Sequence, residues 1–226
     1  MLFLVLGKGK TGSLVAEVAR ERGHGVRVLD LKENRGAASI TAPTLASVDA
    51  VIDFTNAESA VQNIRAVLAL GGKIVVGTTG WHASLEELCS KISRGGSLLY
   101  GTNFSIGVQK LFRLTEELAK LDGYTFSVTE THHTTKLDAP SGTAITLREI
   151  LSAAHPGVEI PVTSHREGDA SGEHIVTAKS DVDLIELRHD ASSRRGFALG
   201  AVRAAEWLAH QDKPGAWDFR EIFEQL

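Results

Sequence analysis

Leu2-Phe3-Leu4-Val5-Leu6 is an unbroken apolar run that passes straight into Gly7-Lys8-Gly9-Lys10-Thr11-Gly12, after which Leu14-Val15-Ala16 through Arg20 follow an amphipathic helical pattern. No other stretch restricts the fold as much. A buried strand, a glycine turn and a helix in that order open a dinucleotide-binding unit. The glycines allow a tight turn, close approach of backbone to a pyrophosphate and close helix–strand packing, and the helix N-terminus faces the phosphates. The glycine spacing is weak alone, so its flanks matter. Val26 to Leu29 reads as a second buried strand ending at Asp30, about twenty residues beyond the glycines, where a carboxylate binds the ribose diol of NAD. Lys10 and Lys32 could instead pair with a 2′-phosphate, so NADH and NADPH both remain open as cofactors.

The pattern then repeats. Leu31 to Ser47 is polar and reads mostly as loop, but Val51-Ile52 is a short strand ending in Asp53-Phe54-Thr55, and Ala57 to Leu70 is a helix stopped by Gly71-Gly72. Lys73 to Val76 is a strand ending in Gly77-Thr78-Thr79-Gly80, a helical segment runs from Ser84 to Arg94, and Leu98 to Tyr100 ends in Gly101-Thr102-Asn103-Phe104. Short apolar strands alternating with helices predict right-handed crossovers and a parallel sheet. Ligands of such sheets bind at the carboxyl ends of strands, which makes Gly7 to Gly12, Asp30, Gly77, Thr78, Thr79 and Gly101 to Phe104 the candidate cofactor residues. No Tyr-x-x-x-Lys pair is present to supply the acid of the short-chain dehydrogenases.

After Phe104 the style changes. Val108 to Leu121 is a helix with a leucine stripe, Tyr124 to Val128 a strand, Ala144 to Leu151 a helix, and Pro156 to Ser171 a polar segment. His174 to Ala178 and Asp183 to Arg188 read as two strands joined by a turn, so a second, α+β domain is expected. A helix from about Phe197 to His210 follows, then a last helix, Phe219 to Leu226, with Asp218 as N-cap.

The chemistry concentrates in Glu130 to Thr143, which carries His132, His133 and Lys136 and ends in Pro140-Ser141-Gly142-Thr143 at a helix start. Either histidine titrates near neutral pH and could donate or accept a proton, Lys136 adds a point charge, and the amides of Gly142 and Thr143 could hold a carboxylate or phosphate. A small anionic substrate suits that combination. Adjacent histidines on an extended chain point to opposite sides and are poor ligands for one ion, and the single Cys89, expected to be a buried structural thiol, builds no thiolate site; no metal is expected.

Across its 226 residues the net charge is −4 and the pI about 6.1, with no basic stripe and no apolar run long enough to span a bilayer. Neither a nucleic-acid partner nor a membrane is expected. The first residues lack a basic leader and a cleavage site, so the cytoplasm is the expected location.

Glu130-x-His132-His133-x-x-Lys136-x-Asp138-Ala139-Pro140-Ser141-Gly142-Thr143-Ala144 resembles the signature of the dihydrodipicolinate (4-hydroxy-tetrahydrodipicolinate) reductase family of lysine synthesis by the diaminopimelate route. The likeness extends to Val51 to Thr55, Gly77 to Gly80, Asn103 to Val108, Arg166-Glu167-Gly168-Asp169, Gly172-Glu173-His174 and Ser192-Ser193-Arg194. It implies a dinucleotide domain of residues 1–104 and 195–226 and a domain of residues 105–194 that binds substrate and associates into a homotetramer. It also implies an NAD(P)H-dependent reduction in which a cyclic imine dicarboxylate loses water, accepts hydride and is protonated as an enamine, with closure of the domains excluding water. His132 would be the acid/base and Lys136 the proton donor, while His133, Gly142 and Thr143 would hold substrate carboxylate, with Arg194 nearby. Two departures stand out. The glycine loop is one residue shorter than the family's, with Lys10-Thr11 in place of Arg-Met, and the segment after Asp30 is shortened. A dinucleotide sensor without catalysis, or a dehydrogenase of another small dicarboxylate or semialdehyde, are the competing expectations.

Overall fold

The computed structural model describes residues 1–92 and 95–226. The chain begins β1 (Leu2–Leu6), α1 (Lys10–Glu21), β2 (Gly25–Leu29), α2 (Ala42–Leu45), β3 (Ala50–Asp53), α3 (Ala57–Ala69), β4 (Lys73–Val76), α4 (Leu85–Cys89) and β5 (Ser97–Tyr100). It continues α5 (Ile106–Leu118), β6 (Thr125–His132), α6 (Gly142–Ala154), β7 (Val162–Arg166), β8 (Glu173–Lys179) and β9 (Leu184–Asp190), and closes with α7 (Arg195–Ala209), β10 (Gly215–Asp218) and α8 (Phe219–Ile222). Two compact units result, Met1–Ser105 with Arg195–Leu226, and Ile106–Arg194.

The first unit is Rossmann-like. Its parallel sheet has the order β10-β5-β4-β3-β1-β2. Buried on both faces, its central strands carry apolar runs, Val51-Ile52, Ile74-Val75-Val76 and Leu98-Leu99 beside Leu4-Val5-Leu6, as a parallel sheet between helices requires. Leu4, Leu6, Val51, Ile74, Val76 and Leu98 pack against Ala60, Ile64, Val67 and Leu68 of α3 and against Trp81 and Leu88. α1 and α7 lie against each other, and α7 also meets β3 and β4. The second unit holds the sheet β7-β6-β8-β9, with β6 parallel to β7 and antiparallel to β8. One face packs on α5 and α6 through Phe126, Val128, Val176, Ala178, Leu111, Phe112, Leu147 and Leu151.

Several local expectations change. The helical pattern after the glycines begins at Lys10 rather than Leu14, so only Gly7 to Gly9 form the turn. β2 is half-exposed rather than buried, because it is the edge strand. The polar stretch 31–47 holds a 3-10 turn at Arg35–Ala37 and the short α2, capped by the Thr41 hydroxyl. The helix expected over Ser84 to Arg94 shortens to α4, and its positions 93 and 94 lie outside the described residues. Cys89 at its end is half-buried, and burial pushes its thiol pKa up. β7 falls inside the polar segment 156–171, and β10 adds a sixth strand to the first sheet. The Asp218 cap is present: its Oδ1 accepts from the Arg220 amide at 2.8 Å. Among the described residues no helix is long and apolar enough to cross a membrane.

Candidate active site

Gly7 follows β1 with φ +103°, and its amide donates to Leu29 O at 2.8 Å, which ties the glycine turn to the end of β2. A Cβ at Gly7 would overlap the Phe54 carbonyl oxygen, one at Gly12 the Gly7 carbonyl oxygen, and one at Gly77 the Phe54 ring. These contacts bring the ends of β1, β3 and β4 together and begin α1 at Lys10, with the uncapped Gly9 before it. Backbone amides at such a helix start suit a pyrophosphate, and the residues present therefore fit a dinucleotide.

Asp30 lies just beyond β2, where its Oδ1 accepts from the amides of Lys32 and Glu33, both at 2.8 Å. Those backbone hydrogen bonds, the Glu33 amide foremost, hold its carboxyl below the usual carboxylate range. Lys8 forms the ion pair with this acidic pair, with Nζ 2.8 Å from Glu33 Oε2 and 3.9 Å from Asp30 Oδ2, and the Lys32 charge also acts on Asp30. Glu33 carried no distinguishing mark in the sequence, since its role depends on the turn that folds it back on Asp30. Thr78 and Gly101 are buried, Thr79 and Thr102 exposed, and Asn103 half-buried with its Oδ1 accepting from the Ser105 amide. Phe104 is buried edge-on to Phe54 and against Phe219.

Asp53 was passed over as the mere end of a strand, yet it organises this edge. Fully buried, it accepts from Thr55 Oγ1 at 2.7 Å, Thr78 Oγ1 at 2.8 Å and Asn63 Nδ2 at 2.7 Å, and Asn63 accepts from Asn34 in turn. Burial pushes its pKa up, and the hydrogen bonds oppose that shift. A buried carboxylate surrounded by donors fixes the ends of β3 and β4.

In the second unit β6 extends to His132, so Glu130 and His132 belong to a strand and not to the loop. Alternation then places both on the face of Phe126 and Val128, and His133 begins the turn. Register supplies the neighbours. Ser164 of β7 and His174 of β8 flank Glu130, and Arg166 of β7 flanks His132. Glu130 is fully buried; its Oε1 accepts from Arg166 NH2 at 3.1 Å and its two oxygens from the Ser141 amide at 3.1 Å. Burial alone would raise its pKa, but hydrogen bonds from Ser141, Ser164 and Arg166 outweigh it and hold the carboxyl below its ordinary range. His132 Nδ1 stands 3.3 Å from Glu130 Oε2, and its ring packs edge-on against His174 with centroids 5.1 Å apart. Burial lowers the His132 pKa against the pull of Glu130, with Lys136 and Arg166 adding to the lowering and Asp138 opposing it.

Ser141 caps α6 through Oγ, which accepts from the Ala144 amide at 3.2 Å and lies 3.2 Å from His174 Nε2. Gly142, at the first position of α6, is exposed with open space around it, and Thr143 is half-buried. Lys136 pairs with Asp138 at 2.7 Å, and Arg166 fastens the loop by donating to Lys136 O and Asp138 O. His133 Nδ1 is 2.8 Å from Thr135 Oγ1. Arg194 is exposed, and among the described residues no hydrogen bond or ion pair joins it to this cluster. Sequence reasoning singled out His132 and Lys136 and missed Glu130, Arg166 and His174 as one assembly. The apolar alternation of Phe126 and Val128, continued two and four residues further, was the signal that could have put Glu130 with His132; Arg166 and His174 come from other strands and left none.

Glu130, His132 and His174 each offer one donor atom within 4.8 Å of the others, a spacing open to a metal ion. Here the Glu130 charge is already met by Arg166, so the cluster is a hydrogen-bonded ion pair in its own right.

His174 is pushed down to about 4, first by burial and then by the His132 charge. Its folded pKa lies below the unfolded 6.5, so between those values the unfolded chain binds more protons and stability rises with pH. We therefore expect about 3 kcal/mol, full above pH 6.5, to be lost as pH falls from 6.5 to 4. Urea unfolding across that range checks this, since His174→Gln should flatten the slope.

Comparison with known proteins covers both units. Residues 3–104 match the sequence profile "Dihydrodipicolinate reductase, N-terminus" and residues 107–223 the profile "Dihydrodipicolinate reductase, C-terminus". The 4-hydroxy-tetrahydrodipicolinate reductase of Christiangramia forsetii is 35% identical over 246 residues, spanning 100% of this chain and 99% of that protein. That of Natronomonas pharaonis is 35% identical over 237 residues, 94% of this chain and 96% of that protein. The solved structure of a dipicolinate-bound dihydrodipicolinate reductase from Paenisporosarcina sp. TG-14 superposes with a TM-score of 0.79 at 20% identity, covering 98% of this chain and 99% of that one. A probable dehydrogenase from Thermotoga maritima does so at 0.65 and 10%, covering 99% and 93%. At those identities the structural likeness speaks for the fold.

Proposed function

The chain belongs to the dihydrodipicolinate reductase family and is an oxidoreductase, and we propose that it reduces 4-hydroxy-tetrahydrodipicolinate to tetrahydrodipicolinate in the diaminopimelate route to lysine. The observation that carries this is the buried His132, within the field of Lys136 and near the start of α6, on a chain whose other unit follows its first strand with a glycine turn. Gly7 to Gly12, Asp30, Gly77 to Thr79 and Gly101 to Phe104 would hold a reduced nicotinamide dinucleotide, which would supply the hydride. His132 exchanges the proton with substrate, and Lys136 delivers one to the enamine and counters its charge. His133, Arg194 and the amides of Gly142 and Thr143 hold the two carboxylates. Loss of reduced-nicotinamide absorbance with freshly generated 4-hydroxy-tetrahydrodipicolinate tests the proposal, and binding of cofactor without its consumption overturns it.

Of NADH and NADPH, the pair Asp30 and Glu33 favours NADH, because a 2′-phosphate there would face two carboxylates with Lys8 already engaged. Glu33→Ala releases Lys8, and we expect the kcat/KM ratio of NADPH to NADH to rise about tenfold. An unchanged ratio would remove Glu33 and Lys8 from the cofactor preference.

The second sheet also leaves Ser127, Thr129, Thr131, Ile175 and Thr177 half-exposed on the face away from α5 and α6. That face is the proposed tetramer contact, in a cytoplasmic enzyme. Light scattering should return four times the 24.2 kDa chain mass, and a monomer in solution would overturn it.

A further inference from the structure

Around His132 the two ring nitrogens meet different surroundings. Nδ1 faces inward, 3.3 Å from Glu130 Oε2, buried and not yet turned into hydrogen-bond alignment. Nε2 faces the backbone of Gly172, where a Cβ would stand 3.1 Å away. Gly172 has φ +139°, a conformation that favours glycine, and it immediately precedes β8, whose Glu173 pairs with Thr131. A side chain is therefore lacking where it would cover Nε2.

Glu130 itself cannot drift. Arg166 holds Oε1, the Ser141 amide reaches both oxygens, and Ser141 is fixed as the cap of α6. The backbone of His132 is held as well, since its carbonyl accepts from the Glu167 amide at 2.8 Å. His174 lies 3.8 Å from Oε2 through Nε2, and burial keeps it neutral at physiological pH, so it does not compete for the carboxylate charge.

Resting on the assignment of His132 as the acid/base, we propose that Glu130 is its positioning residue, taking the Nδ1 proton of His132 and so fixing Nε2, beside Gly172, as the atom that exchanges a proton with substrate. Arg166 orients Glu130 from the far side and keeps it ionised. At 3.3 Å the pair is already within reach, and a rotation of the imidazole that brings Nδ1–H into line with Oε2 completes the hydrogen bond. The tautomer is set by the partner of the other nitrogen, as is general for working histidines. When Nε2 takes a proton, the imidazolium is stabilised by Glu130 against the opposing charges of Lys136 and Arg166, with Asp138 on the same side as Glu130 and His174 uncharged.

The test is nitrogen-detected NMR of the histidine rings in the substrate-free protein, with His132 assigned by its loss in His132→Gln, together with the pH profile of kcat. Wild type should show the Nδ1–H tautomer at His132. Glu130→Gln, which keeps volume and removes charge, should lower the His132 pKa by about one unit and kcat by about 10²-fold. Glu130→Asp should return the pKa toward wild type while recovering only part of kcat. An Nε2–H tautomer in wild type overturns the proposal, and that measurement stands even if Glu130→Gln fails to fold. A Glu130→Gln protein with lowered kcat and unmoved His132 pKa also overturns it, leaving Glu130 a packing role. Neither outcome touches the function itself, which fails only if cofactor binds without being consumed; normal turnover in His132→Gln would remove His132 from the mechanism, and this proposal with it.

Discussion

His132→Gln is expected to lower turnover about 10²–10⁴-fold, the usual contribution of one general acid–base group. Gln nearly preserves volume in a site only 8% exposed, so the backbone pairing of β6 with β7 and β8 should persist. What it removes is the imidazole whose Nε2 lies beside Gly172, where no side chain stands. Burial and the cations Lys136 and Arg166 keep His132 neutral near pH 7, ready to take a proton, and Glu130 limits how far that lowering goes. Cofactor affinity should change little, because the residues assigned to the dinucleotide belong to the other unit. Stopped-flow turnover beside fluorescence titration of NADH separates the two quantities. Full turnover in the variant removes His132 from the mechanism. Lys136→Ala in the same assay should raise KM as well as slow the reaction, since a cation facing a carboxylate is lost.

Gly200→Ala is expected to be the most damaging single methyl addition in the first unit. Gly200 is buried inside α7, and a Cβ there would overlap the Phe104 carbonyl oxygen and come within 3.4 Å of the Phe219 ring. In an exposed helix the same change would stabilise by about 1 kcal/mol. Here backbone lies in the way, and backbone cannot rotate aside as a side chain can. Either α7 moves from the sheet or the Gly101 to Phe104 segment moves, and both are packed, with Phe104 wedged between Phe54 and Phe219. The cost should reach about 3 kcal/mol, the upper part of the overpacking range, or a fall in Tm of about 6–12 °C. Because Phe104 ends the segment assigned to the cofactor, NADH binding should weaken with it. Thermal unfolding with and without NADH measures both effects. A Tm within 2 °C of wild type would show that α7 yields more easily than its packing implies.

Local pattern was enough for the parallel sheet. Leu2 to Leu6 before Gly7, and Val51-Ile52, Ile74-Val75-Val76 and Leu98-Leu99 in the strands that follow, are apolar because both their faces are covered, and those runs show in any window of the chain. The Asp218 cap was legible for the same reason, since a cap is made with an amide two residues away. β10 and β7 were not. Gly215-Ala216-Trp217-Asp218 is four residues at a sheet edge, and Val162-Thr163-Ser164-His165-Arg166 is polar at nearly every place. Its Arg166 and Ser164 face Glu130, so the strand has a polar interior side that no hydrophobic period reveals.

The sequence by itself determined the dinucleotide-type unit, the alternation of its first five strands with helices, and the presence in one short stretch of His132, Lys136 and a helix start. Only the tertiary structure decided which of those groups work together. Glu130 meets Arg166 across 36 residues and Ser141 meets His174 across 33. It also decided that the side chains of Lys8 and Glu33 stand with Asp30. The reason is electrostatic. A carboxylate or imidazole can be buried only where its counter-charge and donors arrive with it, and those come from other strands whose register no local pattern records.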